Sequence, residues 1–190
     1  MKYLLPPAII ALFLLFNSCS SSEDECKPIT CLNEGVQTID CGCDCPEGYS
    51  GVDCRTIETP KEVTIEKVVI NSFDDATNWD LSTKPDITFS LEKTSPNGRV
   101  ILYSHPTYIE NASSSVITFN LSPKYSTTDV NTPIIFAIYD YDGNDIIPNA
   151  DDIMNFGAFF PFNGTSFPEK IKVTGTNLAT DVDIYVSYKF

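Results

Sequence analysis

The 190-residue chain holds a single histidine, a single tryptophan and two methionines, and no cysteine follows Cys54. Each scarcity excludes something. His105, the lone histidine, precedes Pro106 in an expected loop, and no nucleophile elbow or glycine-rich phosphate loop accompanies it, so the sequence offers no catalytic set and is not read as an enzyme. Positive charge is also short: 12 Lys and Arg stand against 26 Asp and Glu, a formal charge of -14. That balance excludes nucleic acid as a partner, opposes simple adhesion to anionic lipid, and makes cations the natural counter-charge. The longest apolar stretch, Leu4 to Phe16, is 13 residues, short of the ~20 a membrane-spanning helix needs. Hydrophobic content is nonetheless 42%, with 9 Tyr and 12 Phe, enough for a packed domain rather than a disordered chain.

All seven cysteines lie in the first 54 residues. Six of them, Cys26, Cys31, Cys41, Cys43, Cys45 and Cys54, make an even set suited to disulfides in an oxidising compartment, and Cys19 is left over at the end of the apolar stretch. A basic start at Met1-Lys2-Tyr3, the apolar run and Asn17-Ser18-Cys19 together read as an export signal. Phe16-Asn17-Ser18-Cys19 resembles a lipobox, which implies cleavage after residue 18 and a diacylglycerol plus an N-acyl chain, palmitate-like, on Cys19. Ser20-Ser21-Ser22-Glu23-Asp24-Glu25 resembles the acidic export signal of Bacteroidota-type lipoproteins. That resemblance implies a lipid anchor in the outer membrane and exposure on the cell surface. The alternative is an ordinary signal peptide with a fortuitous cysteine.

Residues 26–54 end in CDCPEGYSGVDC. Cys43-x-Cys45, Gly48-Tyr49 and Gly51 before Cys54 closely resemble a module of the epidermal-growth-factor (EGF) type, in which glycines permit tight turns. Six cysteines allow 15 pairings; the resemblance implies Cys26-Cys41, Cys31-Cys43 and Cys45-Cys54. A unit this small buries little core and depends on such bridges, at ~2–4 kcal/mol each. Its expected role is a rigid spacer, with residues 19–25 as tether and 55–61 as linker.

From Pro60 onward short β-favouring runs alternate with turn-rich gaps and no 3.6-residue period emerges. Strands are expected at 62–70, 86–93, 99–104, 114–121, 133–139, 155–162, 169–176 and 183–189. Ser95-Pro96-Asn97-Gly98 and Asn163-Gly164 are each expected to close a hairpin. Eight strands suggest two packed sheets.

The order of motifs over residues 62–190, VTIEKVVINSF, WDLSTKPDITFSL, then IIFAIYDYDGNDIIPNADDIMNFG, resembles a C2-type calcium-dependent binding domain. The whole chain is thus expected to be mainly β: a small disulfide-rich EGF-like module followed by an eight-stranded antiparallel C2-like β-sandwich. The resemblance implies a calcium site built from Asp80 and Asp86 on one loop and Asp140, Asp142 and Asp152 on another, with Asp151 or Asp145 as alternatives to Asp152. Calcium takes six to eight hard oxygen ligands in flexible geometry, and carboxylates crowded without a cation repel one another. Solvated acidic turns are the plainer reading. An EF-hand-like loop competes locally, since Asp140, Asp142, Asn144 and Asp151 fall at its positions 1, 3, 5 and 12, but Asp145 stands where that loop requires glycine.

Trp79 beside Asp80, and Ile146-Ile147-Pro148 within the second loop, would form an apolar insertion tip; otherwise Trp79 caps the core and the isoleucines fold back. Three functions are therefore weighed: calcium-dependent recognition of a membrane, anionic or protein ligand; a calcium-independent structural or assembly lipoprotein docking a protein through an edge strand; and glycan capture by Trp79, Tyr103, Tyr108, Tyr139 and Tyr141.

Overall fold

In a computed structural model the structure describes residues 27–73, 83–113, 115–142, 153–175 and 180–190. The described residues contain strands and no helix. Two miniature antiparallel pairs build the cysteine module: β1 (Val36–Gln37) with β2 (Cys43–Asp44), and β3 (Tyr49–Ser50) with β4 (Thr56–Ile57). Cys31–Cys43 and Cys45–Cys54 are disulfides, Cys54 lying fully buried. Cys41 is also disulfide-bonded, and Cys26, its expected partner, lies outside the described residues.

The remaining strands are β5 (Glu62–Ser72), β6 (Ile87–Ser95), β7 (Gly98–Ser104), β8 (Ile117–Thr127), β9 (Ile134–Asp140), β10 (Ile153–Phe159), β11 (Lys170–Lys172), β12 (Thr174–Gly175) and β13 (Asp181–Lys189). They form a five-stranded sheet in the order β12-β10-β9-β6-β7 and a four-stranded sheet in the order β11-β13-β5-β8, antiparallel throughout. Alternation buries Phe89, Leu91, Phe136 and Ile138 of the first sheet against Ile65, Val68, Ile70, Phe119 and Ile184 of the second. Each such side chain contributes about 1.5–3 kcal/mol. In β5 the inward pattern changes parity between Ile65 and Val68. Opposite β13, consecutive Tyr185 and Val186 pair with Lys67 and Ile65, so Glu66 is the extra residue of a bulge in β5.

Three expectations are corrected. The strand expected at 169–176 is two short pieces in different sheets, with β11 on β13 and β12 on β10, so one segment closes the same side of both sheets. Asn163-Gly164 closes no hairpin, because β10 and β11 belong to different sheets and the connection must cross the sandwich. There the Asn163 side-chain oxygen accepts from the Thr165 N–H at 2.9 Å and the Thr165 hydroxyl at 2.8 Å, an Asx turn followed by Gly164 at φ 77°. Finally, β8 starts at Ile117 rather than 114 and runs past Pro123 to Thr127, which an edge strand tolerates because proline there forfeits no obligatory ladder bond. Residues 95–98 do turn between β6 and β7, with Ser95 paired to Gly98.

The module is seated on the sandwich through aromatic rings. Tyr49 meets Phe167 edge-on at 5.3 Å, and Phe167 in turn touches Phe162, Tyr188 and Phe190 at 5.4, 5.4 and 4.8 Å. Gly48 is buried at φ +87°, and a Cβ there would stand 2.6 Å from both Phe167 and Phe190. Within the segment expected as linker, β4 pairs with β3, Ile57 packs against the core, and the Lys61 N–H donates to the Lys189 carbonyl at 2.8 Å. Glu62 pairs with Lys189 and Val63 with Thr127, so this seam is one end of the sandwich. At the other end Ser72 pairs with Asp181, Ile70 with Ile117 and Ile87 with Asp140.

Ion pairs on the outer face of the four-stranded sheet hold the short β11 in register. Asp183, 5% exposed, meets Lys170 at 3.1 Å and Lys172 at 2.9 Å, and accepts from Asn71 at 3.1 Å. Burial pushes the Asp183 carboxyl up, but hydrogen bonds from Lys172, Asn71 and Lys170 outweigh it and hold it below the ordinary carboxylate value. A carboxyl lowered in the folded state stabilises fully above its unfolded value of about 3.9 and loses that contribution as pH falls through the folded one. Asp183→Asn is therefore expected to flatten the acid limb of the melting temperature below the ordinary aspartate value of about 3.9. Parallel limbs in variant and wild type would contradict this.

Candidate functional site

The end opposite the module gathers residues 83–86 before β6, the segment 105–113 between β7 and β8, and Tyr141 and Asp142 after β9. Two of the expected carboxylates meet there. Asp140 ends β9 and is 3% exposed, and its Oδ1 accepts the Asp86 N–H at 2.7 Å. Asp86 stands one residue before β6; its Oδ1 accepts the Asn111 N–H at 2.8 Å, and its carbonyl accepts the Tyr141 N–H at 2.8 Å. Further backbone bonds, Ala112 to Pro85 at 2.7 Å and Ile87 with Ile109 in both directions at 2.9 Å, bind segment 105–113 to the same place. The two aspartates thus latch three segments with one oxygen each. Asp142, two residues beyond Asp140, is exposed.

Asp80, Asp145, Asp151, Asp152, Trp79, Ile146 and Ile147 lie outside the described residues, as do Cys19 and the Asn144 of the competing loop. Among the described residues no group of three or more His, Cys, Asp or Glu side chains comes together. The oxygen chemistry of Asp86 and Asp140 fits a hard divalent cation, and their adjacency across β6 and β9 is the kind of anchor such an ion needs. These two side chains fall short of six to eight oxygens, so the rest of any coordination shell must come from Asp142, the backbone, water, and the loops that include Asp80 and Asp152.

The aromatic residues considered for glycan capture do not act as a set. Tyr139 is 4% exposed, and its hydroxyl donates to buried Glu92, which also accepts from Ser90 at 2.6 Å and faces Arg99 at 3.4 Å. Burial first, and then the Glu92 hydrogen bond, push the Tyr139 phenol up to about 12. Period-two alternation explains the correction: Tyr139 projects from β9 beside Thr88 of β6, in the middle of a sheet rather than on a rim. Tyr103 is half-buried among Phe89, His105 and Tyr125. Only Tyr108 and Tyr141, among the described residues of that set, form a surface pair, stacked at 4.5 Å beside the aspartate latch. His105, expected in a loop, follows β7 with its ring against Phe119 at 4.7 Å and Phe89 at 5.2 Å, a packing role.

Asn111 and Tyr108 were not singled out as parts of this end, because a search for carboxylates does not register backbone donors. Asn111 has a left-handed φ of 48°, a conformation asparagine tolerates better than most residues. An Asn in a turn-rich segment was the available signal.

Among solved structures, the chain is similar to a C2 domain of a plant extended synaptotagmin 1. Identity is 11%, the likeness covers 70% of this chain and 97% of that one, and the TM-score is 0.36. A likeness that distant carries no argument, and the functional reading rests on the geometry above. No family model and no curated protein matches the chain.

Proposed function

We propose that this chain is a lipid-anchored cell-surface binding protein that presents the latched loop end of its sandwich to a ligand, with calcium completing that end. The observation that carries the reading is the polarity of the molecule. The module that follows the anchor is seated at one end through Tyr49, Gly48 and Phe167, while Asp86, Asp140, Asp142 and the Tyr108–Tyr141 pair stand at the other. An anchor attached through Cys19 therefore leaves the loop end facing outward. The sequence resemblances to a lipobox and to a C2-type domain support the anchor and the cation.

When bound, calcium would supply a fixed positive charge in a chain of formal charge -14. Such an ion lets an acidic surface accept an anionic group that it otherwise repels. Asp86 and Asp140 would hold it while keeping β6, β9 and segment 105–113 in place. Chain carrying Cys19→Ser, so that no acyl group inserts by itself, incubated with vesicles of anionic or neutral lipid in calcium or in chelator, should pellet with the anionic vesicles in calcium alone. Equal pelleting in chelator would remove the cation from the reading.

A further inference from the structure

Among the described residues the three most exposed large apolar side chains are Ile39 at 93%, Val52 at 71% and Val36 at 68%, and all three belong to the cysteine module. Val52 stands at the end of the module away from the sandwich. Where the two units meet, the Glu58 N–H donates to the Gly48 carbonyl at 2.8 Å; Ser50 and Thr56 pair farther out, and residues 51–55 turn beyond them. The incoming chain lies against that turn, since the Leu32 N–H donates to the Asp53 carbonyl at 2.9 Å and Asn33 donates through Nδ2 to the Cys54 carbonyl at 2.8 Å. Gly35 follows so closely that a Cβ there would stand 2.5 Å from the Cys54 sulfur, and Val36 projects to the opposite side of β1. Ile39 occupies the tip of the β1–β2 hairpin, in a turn closed by the Cys41 N–H on the Thr38 carbonyl at 3.3 Å.

The chain that leads to the anchor limits what can cover these side chains. Lys27 is eight residues beyond Cys19, and an extended chain advances at most ~3.6 Å per residue, so the module stands within ~29 Å of the acylated position. Ile39 shares its turn with Cys41, a disulfide-bonded cysteine whose expected partner, Cys26, is the first cysteine after the tether. Charge selects among lipid surfaces. Residues 27–58 carry six carboxylates against Lys27 and Arg55, so headgroups without net negative charge fit the module and bare anionic ones oppose it.

We infer, on the footing of a lipid anchor at Cys19, that the cysteine module docks on the bilayer holding that anchor, with Ile39, Val36 and Val52 entering a zwitterionic headgroup layer. Lipid removes from water three apolar side chains that the folded chain leaves in it. The tether makes the contact intramolecular, so a patch too small to hold a free protein suffices here. A docked module, fixed in turn to the sandwich through Tyr49 and Phe167, sets the direction in which Asp86 and Asp140 face.

The test uses the acylated full chain in a Trp79→Phe background, with one new tryptophan at a time from Ile39→Trp, Val52→Trp or, on the sandwich, Val116→Trp. Each protein is floated with phosphatidylcholine vesicles whose acyl chains are brominated, in chelator throughout. At ~5–10 Å below the headgroups, the Ile39→Trp and Val52→Trp proteins should lose roughly half of their fluorescence, and Val116→Trp almost none. The same two signals should be quenched about twofold less on phosphatidylglycerol vesicles. All three positions are exposed, so the replacements spare the fold, which unchanged melting temperatures would verify. A chain that floats, yet is quenched no more through Ile39→Trp or Val52→Trp than through Val116→Trp, overturns the docking and leaves the anchor standing. Equal quenching on the two lipids overturns the zwitterionic surface as partner. A chain that does not float overturns the anchor, and the docking with it.

Discussion

Gly48→Ala lowers the stability of the chain by about 2–4 kcal/mol, combining the strain of a non-glycine residue at positive φ with overpacking of a filled seam. The added Cβ would stand 2.6 Å from rings of both Phe167 and Phe190, and Phe167 is itself wedged among Tyr49, Phe162 and Tyr188. Gly51 separates the two contributions. It has a similar φ of +90°, but its Cβ would meet only Thr56, nearest at 3.1 Å. Gly51→Ala should therefore cost roughly 1–2 kcal/mol from backbone conformation alone. Adding Phe190→Ala to Gly48→Ala should recover part of the excess, because truncating one ring makes room at the seam. Urea denaturation of the four proteins measures this. If Gly48→Ala is no worse than Gly51→Ala, the module is not welded to the sandwich by these rings, and the polarity on which the functional reading depends is lost.

The second large effect belongs to Asp140. Its carboxylate is buried and receives the Asp86 N–H at 2.7 Å. Asp140→Ala leaves that donor without its acceptor and should cost about 1–3 kcal/mol whether or not calcium is present. Asp140→Asn keeps an oxygen in the same place and should cost less than about 1 kcal/mol, yet it removes the negative charge a cation needs. Asp142→Asn, at an exposed position, should leave stability in chelator within ~0.5 kcal/mol of wild type. Denaturation in chelator therefore ranks Ala well below Asn and Asp142→Asn near wild type. An equal loss for Asp140→Ala and Asp140→Asn would show that the position works through its charge rather than through the backbone latch.

Much of the sandwich was legible because inward residues of β6, β9 and β13 are large and apolar at period two, and burial of one face makes that period obligatory. Misreadings arose where tertiary structure overrules local pattern. Nothing in EKIKVTGT says that the segment changes sheets after Lys172, since both halves favour extended backbone equally. Asn163-Gly164 has hairpin chemistry, but turn chemistry cannot say whether the flanking strands share a sheet. The loop end was legible through Asp86 and Asp140 and illegible in Asn111, whose contribution is a backbone N–H. The seam was half visible: Gly48 and Tyr49 were marked by the module motif, whereas Phe167 and Phe190, more than 110 residues away in sequence, gave no local sign of meeting them.

The most direct test of the central claim is the melting temperature of the full chain in calcium, in magnesium and in excess chelator, with Asp142→Asn alongside. Calcium at about 100 times its Kd adds ~2.7 kcal/mol, which for a chain of this size is a rise of about 5–10 °C. A rise of that order in calcium, small in magnesium and absent in Asp142→Asn, is the result expected of a cation completing the loop end. Identical melting temperatures in calcium and chelator would contradict it, and would leave Asp86 and Asp140 as a backbone latch with no metal to hold.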